Sequence, residues 1–268
     1  MTQTATPPPV RYYGGKTRML KHLLPLIPKH RTYVEAFVGG GSLYWSKEPS
    51  DFEVLNDTNR QVLDFYRAIK YDFKSLANLI DQTFHSRHQY NESKEVYNDE
   101  EATTLDMAWA VWVQANQGFA GIMNHSWGYS RDASSTLAVY NKKKRFIDAY
   151  QQRMKHTTIE CRDALKVIEV FDSPNTFIYL DPPYVSSDQG HYGGYTEQDF
   201  RNLLDRCATM QGKFLLSSYP ESILKEYRER YGWQTRDIEQ TLAVTGKRTG
   251  PAKKKVECLT WNYDLKQV

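Results

Sequence analysis

An acid followed by two consecutive prolines fixes where a strand must stop. Thr176-Phe177-Ile178-Tyr179-Leu180 is a short apolar, aromatic and β-branched run that reads as a buried strand, and Asp181-Pro182-Pro183-Tyr184 follows it directly. The prolines fix φ at successive positions and remove two backbone donors, leaving the Asp181 and Pro182 carbonyls to accept. Pro183 also biases Pro182 towards an extended conformation. The acid thus stands at a strand end, where open α/β sheets put their ligand groups. A rigid elbow with one carboxylate, a bare carbonyl and the Tyr184 ring suits a planar group carrying an N–H donor pair. Four residues alone also fit an ordinary strand-ending turn capped by aspartate.

Upstream, Thr32 to Phe37 reads as a strand running into Val38-Gly39-Gly40-Gly41-Ser42 and then the helix-compatible Leu43-Tyr44-Trp45. Strand, glycine turn and helix start make the nucleotide-binding unit of doubly wound sheets, where missing β-carbons let a ligand approach the backbone. The pattern is not the dinucleotide G-x-G-x-x-G, and no P-loop lysine follows the last glycine. Glu53 to Asp57 is a second short strand ending in an acid, where such folds place the carboxylate that takes ribose hydroxyls. A cofactor with ribose but no phosphate chain suits this pair; a purely structural turn is the alternative. Before both, Arg11-Tyr12-Tyr13-Gly14-Gly15-Lys16 precedes a helical pattern from Arg18 to Ile27 that ends near Pro28. Glycines opening a helix can bring N–H groups to an anion, though a Gly-Gly turn is also a common structural device.

From Thr58 to about Lys155 the texture changes. Val62, Phe65, Tyr66 and Ile69 share one helical face, as do Leu76, Leu79 and Ile80, and then Leu105, Trp109, Trp112 and Val113. Strand–helix alternation is missing, so the segment is expected to be a mostly helical insertion. Inside it, residues 116–131 form a polar, aromatic, glycine-punctuated stretch too long for a tight turn. Lys142-Lys143-Lys144-Arg145 is expected at the start of a helix, either as a solvated face or as a phosphate contact. Alternation resumes at Thr157, with Asp163 expected to cap a helix over 164–171. Helices are expected over 197–210 and 221–230, and a strand over 214–218. A hairpin from strands 238–244 and 256–263 encloses a basic loop at 246–255.

Length and charge leave the partner open. A chain of 268 residues carries one large or two small domains, and a net charge of +3 permits nucleic acid without demanding it. Cys161, Cys207 and Cys258 are widely spaced without metal-ligand spacing, which reads as reduced thiols in a cytoplasmic protein. No apolar run approaches membrane length, and the Thr/Pro-rich residues 1–9 read as a disordered tail.

Taken together, Tyr12-Tyr13-Gly14-Gly15-Lys16, Val34-Glu35-Ala36-Phe37-Val38-Gly39-Gly40-Gly41-Ser42, Asn56-Asp57, Asp181-Pro182-Pro183-Tyr184 and Glu257-Cys258-Leu259-Thr260-Trp261-Asn262-Tyr263 resemble, in that order, the Dam-type (D12 class) adenine-N6 DNA methyltransferases. The resemblance runs from Arg11 to Tyr263 and is thin over the helical insertion. The glycine stretch is like the family's E-P-F-x-G-x-G-S, with Ala36 replacing its usual proline. What it implies is an α/β, Rossmann-like S-adenosylmethionine-dependent methyltransferase sheet with an inserted helical DNA-recognition domain. Residues 10–57 and 156–268 would form the catalytic domain and 58–155 the insertion. The resemblance also implies S-adenosylmethionine as donor, an adenine flipped out of double-stranded DNA as acceptor, and no metal.

By matched position, Glu35, the loop Phe37, Gly39, Gly40, Gly41 and Ser42, and the segment Tyr12, Gly14, Gly15 and Lys16 would line the cofactor. Asp57 would take its ribose hydroxyls and Asp163 its adenine, with Asp181 also facing the cofactor. Asp181, Pro182 and Tyr184 would hold the target base. In the insertion, Asn124, His125 and Arg131 are expected at base edges and Lys142, Lys143, Lys144 and Arg145 at phosphates. The GATC-type pattern R-x-N-x-x-G-x-F-N is absent from Asn124 to Arg131, so a different or looser target is expected. An N-methyltransferase acting on RNA or on a protein glutamine, and a DNA-binding module without catalysis, are the alternatives.

Overall fold

The computed structural model describes residues 6–185, 194–241 and 254–265. The Gly/Tyr/Ser loop expected at 185–195 and the basic loop at 246–255 therefore lie mostly outside the described residues. Among the described residues, the strands are β1 (Thr32–Glu35), β2 (Phe52–Asn56), β3 (Thr157–Glu160), β4 (Thr176–Leu180), β5 (Lys213–Ser218), β6 (Gln234–Thr241) and β7 (Lys254–Trp261). With the helices between them they make a mixed α/β chain. It separates into two compact units, Met1–Pro25 with Val38–Ala164, and Leu26–Phe37 with Leu165–Val268. The first unit holds the helical segment together with the glycine turn, β2 and β3, a different line from the boundaries at 57/58 and 155/156.

Local contacts in the first unit account for that grouping. β2 and β3 pair in parallel from Glu53↔Thr157 to Asn56↔Glu160. The Tyr44 hydroxyl donates to the Arg153 carbonyl at 3.1 Å, and Lys70 Nζ donates to the Thr157 carbonyl at 2.7 Å. Buried Glu53 accepts from Lys47 Nζ at 2.5 Å and from the Arg153 guanidinium. Burial alone would raise the Glu53 pKa, but Arg153 and Lys47 outweigh it and hold the carboxyl below its ordinary range. Arg153 and Thr157, at and just beyond the end of the helical segment, are thus tied to β2 and to the helix Ser42–Ser46 that follows the glycine turn. Thr6 and Pro7, expected in the disordered tail, are docked: Thr6 N–H reaches the Trp45 carbonyl and Tyr150 Oη donates to the Pro7 carbonyl.

The helices follow their sequence signals, with two corrections. Asn59 caps Arg60–Tyr71 by accepting from Val62 N–H, and Thr103 caps Thr104–Gln117 by accepting from Asp106 N–H. Val62, Phe65, Tyr66, Ile69, Leu76 and Ile80 are buried as their spacing predicts. In Thr104–Gln117, however, every residue from Ala110 to Gln117 is buried, while Leu105 and Trp109 are only half-buried. From Ala110 onward this helix is enclosed on all sides, so a single stripe does not describe it. Its buried amides are satisfied: Gln114 Nε2 donates to the Ser93 carbonyl and Gln117 Nε2 to that of Phe84. The second correction concerns Lys142–Arg145, which close the helix Ser134–Lys144 and do not open one. Cations in the last turn complement the negative end of the helix dipole.

In the second unit β1, β4 and β5 run parallel, with Val34↔Ile178 and Ile178↔Phe214 in register. β7 lies antiparallel to β5 (Ser217↔Leu259) and β6 antiparallel to β7. Every residue of β4 is buried, as a central parallel strand covered on both faces requires. β1 stops at Glu35, two residues before the expected Phe37, and β6 starts at Gln234, four before the expected Ile238. The helix Glu197–Ala208 opens on a Thr196/Asp199 capping box.

Candidate active site

In the first unit the glycine turn is bound to the end of β2. Val38 N–H donates to the Asn56 carbonyl at 2.8 Å and Gly41 N–H to the Val38 carbonyl at 2.7 Å. Gly41 has φ +60°, in the left-handed region that favours glycine, and a Cβ there would stand 2.9 Å from Tyr66 Oη. Gly40 is glycine for a different reason: its Cβ would meet Tyr12 Cβ at 2.7 Å. The Arg11–Lys16 segment therefore lies against the turn, with Gly15 N–H bonded to the Tyr12 carbonyl and buried Lys16 donating to the Gly14 carbonyl. Next to Gly41, Trp45 Nε1 is a buried donor without a partner among the described residues.

Asp57 follows β2 by one residue and is buried. Its carboxylate accepts Gly39 N–H at 2.9 Å and Asn59 N–H at 3.0 Å, so it pins the glycine turn. Burial raises its pKa, and the backbone donors of Asn59, Gly39 and Thr58 oppose that rise. Asn56 and Arg162 exchange two bonds of 3.0 Å, side-chain amide to backbone. That pair pins the residue before the exposed Asp163 to the strand end carrying Asp57, and Asp163 immediately precedes the helix Ala164–Phe171. Nine expected cofactor residues (Tyr12, Gly14, Gly15, Lys16, Gly39, Gly40, Gly41, Ser42 and Asp57) thus sit on one connected set of loops. Glu35 and Phe37 belong to the second unit, where buried Glu35 accepts from the Tyr33 hydroxyl at 2.8 Å.

The second unit carries the elbow. Asp181 follows β4 by one residue, and the Tyr184 hydroxyl turns back onto it at 3.2 Å from Oδ1. The same hydroxyl lies 2.9 Å from Glu257 Oε1 and 3.3 Å from Ser217 Oγ. Burial, then the Asp181 and Glu257 carboxylates, raise the Tyr184 pKa well above the ordinary tyrosine range, so the oxygen keeps its proton. The Tyr184 and Tyr219 rings meet at 4.5 Å, tilted by 60°. Pro182, Pro183, Tyr184, Ser218 and Tyr219 line a small cleft. Glu257 is a site residue that the strand-end pattern does not predict. The signal that could have found it is a single acid inside the otherwise closing strand 256–263.

The segment 116–131 is more ordered than a long loop. Its first two residues end the helix Thr104–Gln117, Phe119–Gly121 form a 3-10 turn, and Gly118 bridges Trp127. Asn124 exchanges amide bonds of 3.2 and 2.9 Å with Asn98, while His125 and Arg131 are exposed. Lys143 Nζ donates to the Asp81 and Thr83 carbonyls, and Lys142 Nζ reaches the Asn116 carbonyl at 3.4 Å. Lys144 and Arg145 are exposed. Among the described residues no group of three or more His, Cys, Asp or Glu is placed to hold a metal, and no helix is long and apolar enough to cross a membrane.

The chain is 24% identical over 285 residues to the Type II methyltransferase M1.LlaDCHI of Lactococcus lactis subsp. cremoris, covering 96% of this chain and 95% of that protein. It is 27% identical over 247 residues to the Type II methyltransferase M.CviBI of Paramecium bursaria Chlorella virus NC1A, covering 84% of this chain and 90% of that protein. A DNA N-6-adenine-methyltransferase of Escherichia phage P1 is 23% identical over 202 residues, or 71% of this chain and 26% of its own length. The family model for D12 class N6 adenine-specific DNA methyltransferases matches residues 12–237, from the segment beside the glycine turn through the elbow into β6. The chain belongs to that family: it is an adenine-specific DNA methyltransferase of mixed α/β fold.

Proposed function

We propose that the first unit holds S-adenosylmethionine and that the elbow of the second receives the N6 amine of an adenine flipped out of double-stranded DNA. The observation that carries this is the elbow itself: a carboxylate at a strand end, with a tyrosine hydroxyl beside it and followed by two residues that cannot donate from their backbone. The glycine turn fits the cofactor, because its backbone is stripped of Cβ atoms and has a buried carboxylate and an orphaned indole donor beside it. Asp57 accepts from the backbone N–H groups of the glycine turn and of its own turn, and retains lone pairs for ribose hydroxyls. Tyr12 and Lys16 flank that pocket and Asp163 takes the adenine of the cofactor. When bound, S-adenosylmethionine supplies an activated sulfonium methyl.

Adenine's exocyclic amine is a poor nucleophile because its lone pair is delocalised into the ring. Hydrogen bonds to the Asp181 carboxylate and the Pro182 carbonyl favour the pyramidal amine and strengthen as positive charge develops on nitrogen. A base stacked in a duplex cannot reach the elbow, so it is extruded and held against Tyr184. Arg131, His125 and Asn124 read base edges, Asn124 by giving up its pair with Asn98, and exposed Lys144 and Arg145 meet phosphates more readily than the carbonyl-bound Lys142 and Lys143. The target is not GATC. The test is incubation with unmethylated double-stranded DNA and S-adenosylmethionine, followed by mass analysis of nucleosides and mapping of modified sites. N6-methyladenine at a sequence other than GATC is expected. Methylation confined to GATC would overturn the target, and transfer to RNA or protein alone would overturn the acceptor.

A further inference from the structure

The Tyr184 hydroxyl has one proton, and among the described residues it meets side-chain oxygens of Glu257, Asp181 and Ser217. Glu257 Oε1 is the nearest at 2.9 Å, against 3.2 Å for Asp181 Oδ1 and 3.3 Å for Ser217 Oγ. Ser217 already donates to the same Glu257 oxygen at 2.7 Å, so its proton is committed there. Glu257 is almost fully buried, and its second oxygen is held by Lys255 Nζ at 3.7 Å and Gln240 Nε2 at 3.4 Å. A hydroxyl between two carboxylates donates to one of them, and a charged acceptor at shorter range wins. If Tyr184 donated to Asp181 instead, it would occupy and partly neutralise the oxygen on which the target amine depends.

We infer that Glu257 is a positioning residue for methyl transfer: it draws the Tyr184 proton to itself and so withholds it from Asp181, and Tyr184 then does not weaken that carboxylate as an acceptor for the amine. The inference rests on the reading of Asp181 as the amine acceptor. It also explains an acid on β7, where β7 pairs with β5 and Ser217 lies beside Leu259 in register. Lys255 balances the charge from the other Glu257 oxygen.

A double-mutant cycle tests it. E257Q keeps the volume but offers a neutral acceptor, weaker than the Asp181 carboxylate, so the Tyr184 proton turns to Asp181. Single-turnover methylation is expected to fall about tenfold, with S-adenosylmethionine affinity unchanged. In the Y184F background no hydroxyl is left to misdirect, and the same E257Q change is expected to matter less than about twofold. E257D, with its carboxylate a methylene further from the hydroxyl, is the second variant: its loss should be smaller than that of E257Q and should also vanish in Y184F. Equal losses in both backgrounds mean that Glu257 acts only on packing, and no loss in either means that it does not act at all; both outcomes overturn the inference. D181A assayed alongside separates the two levels. If D181A methylates normally, the reading of the elbow fails; if D181A is inactive and the cycle is additive, only the role of Glu257 fails.

Discussion

Two aspartates stand one residue beyond a parallel strand, Asp57 after β2 and Asp181 after β4, and they are held in opposite ways. Asp57 is buried and bonded to backbone N–H groups of the glycine turn and of Asn59. Its geometry is set by main chain, and its loss would loosen the turn as well as remove a charge. Asp181 is half-buried and met by a side-chain hydroxyl that Glu257 and Ser217 share. A main-chain cage suits a group that must grip one cofactor in one pose. A side-chain network suits a group whose acceptor strength matters to a reaction. The same local rule, an acid at a strand end, thus yields two chemistries according to what surrounds the carboxylate.

The sharpest way to break this contrast is D181A. Removing a charged acceptor engaged mainly in the transition state should lower the methylation rate by about a hundredfold or more. S-adenosylmethionine affinity, measured by calorimetry, should hardly change. Near-normal turnover would remove Asp181 from the mechanism. D57A is next. A lost hydrogen bond to a charged group is worth roughly 1.5–3 kcal/mol, so cofactor affinity should fall about tenfold to a hundredfold while DNA affinity stays close to wild type. Cofactor binding that does not move would show that Asp57 serves the turn alone.

Smaller effects are expected in the insertion. R131A should change which sites are methylated, a base contact being worth about 1–3 kcal/mol, and sequencing of modified DNA reads this directly. K144A/R145A should weaken binding evenly across sequences and reduce the salt slope by about 1 to 2. K142M/K143M should reduce it less, because those two amines are bound to carbonyls. The smallest effect concerns Lys142, whose pKa is lowered to about 8 by burial and by nearby Arg11. Between about pH 8 and the ordinary lysine range the unfolded chain binds more protons than the native one, so stability should rise with pH across that window. Denaturant titrations of K142M should show that rise flattened.

The strand ends, and with them both aspartates, were legible in the sequence because proline and glycine act locally. Asp-Pro-Pro stops a strand wherever it occurs, and three glycines after an apolar run announce a turn. The features without a local signature are non-local or lack periodicity. Glu257 reaches Tyr184 only because β7 returns antiparallel beside β5, a pairing that no local pattern encodes. Among its described residues helix Ser134–Lys144 buries Val139 alone, so no apolar stripe marks its span or shows that its basic residues lie in the last turn. Thr104–Gln117 is enclosed on all sides from Ala110 onward, which a one-sided stripe cannot express. The bond from Arg153 to Glu53, a hundred residues apart, likewise has no local signature.

The most direct test of the account sets the two aspartates side by side. Calorimetric affinity for S-adenosylmethionine and single-turnover methylation of DNA at saturating S-adenosylmethionine are measured for wild type, D57A and D181A. The account predicts a crossed result: D57A binds the cofactor weakly yet transfers methyl at a substantial rate once saturated, whereas D181A binds it normally and transfers almost none. If D181A weakens cofactor binding as much as D57A does, or if D57A stays inactive at saturation, the two carboxylates do not divide the work in this way.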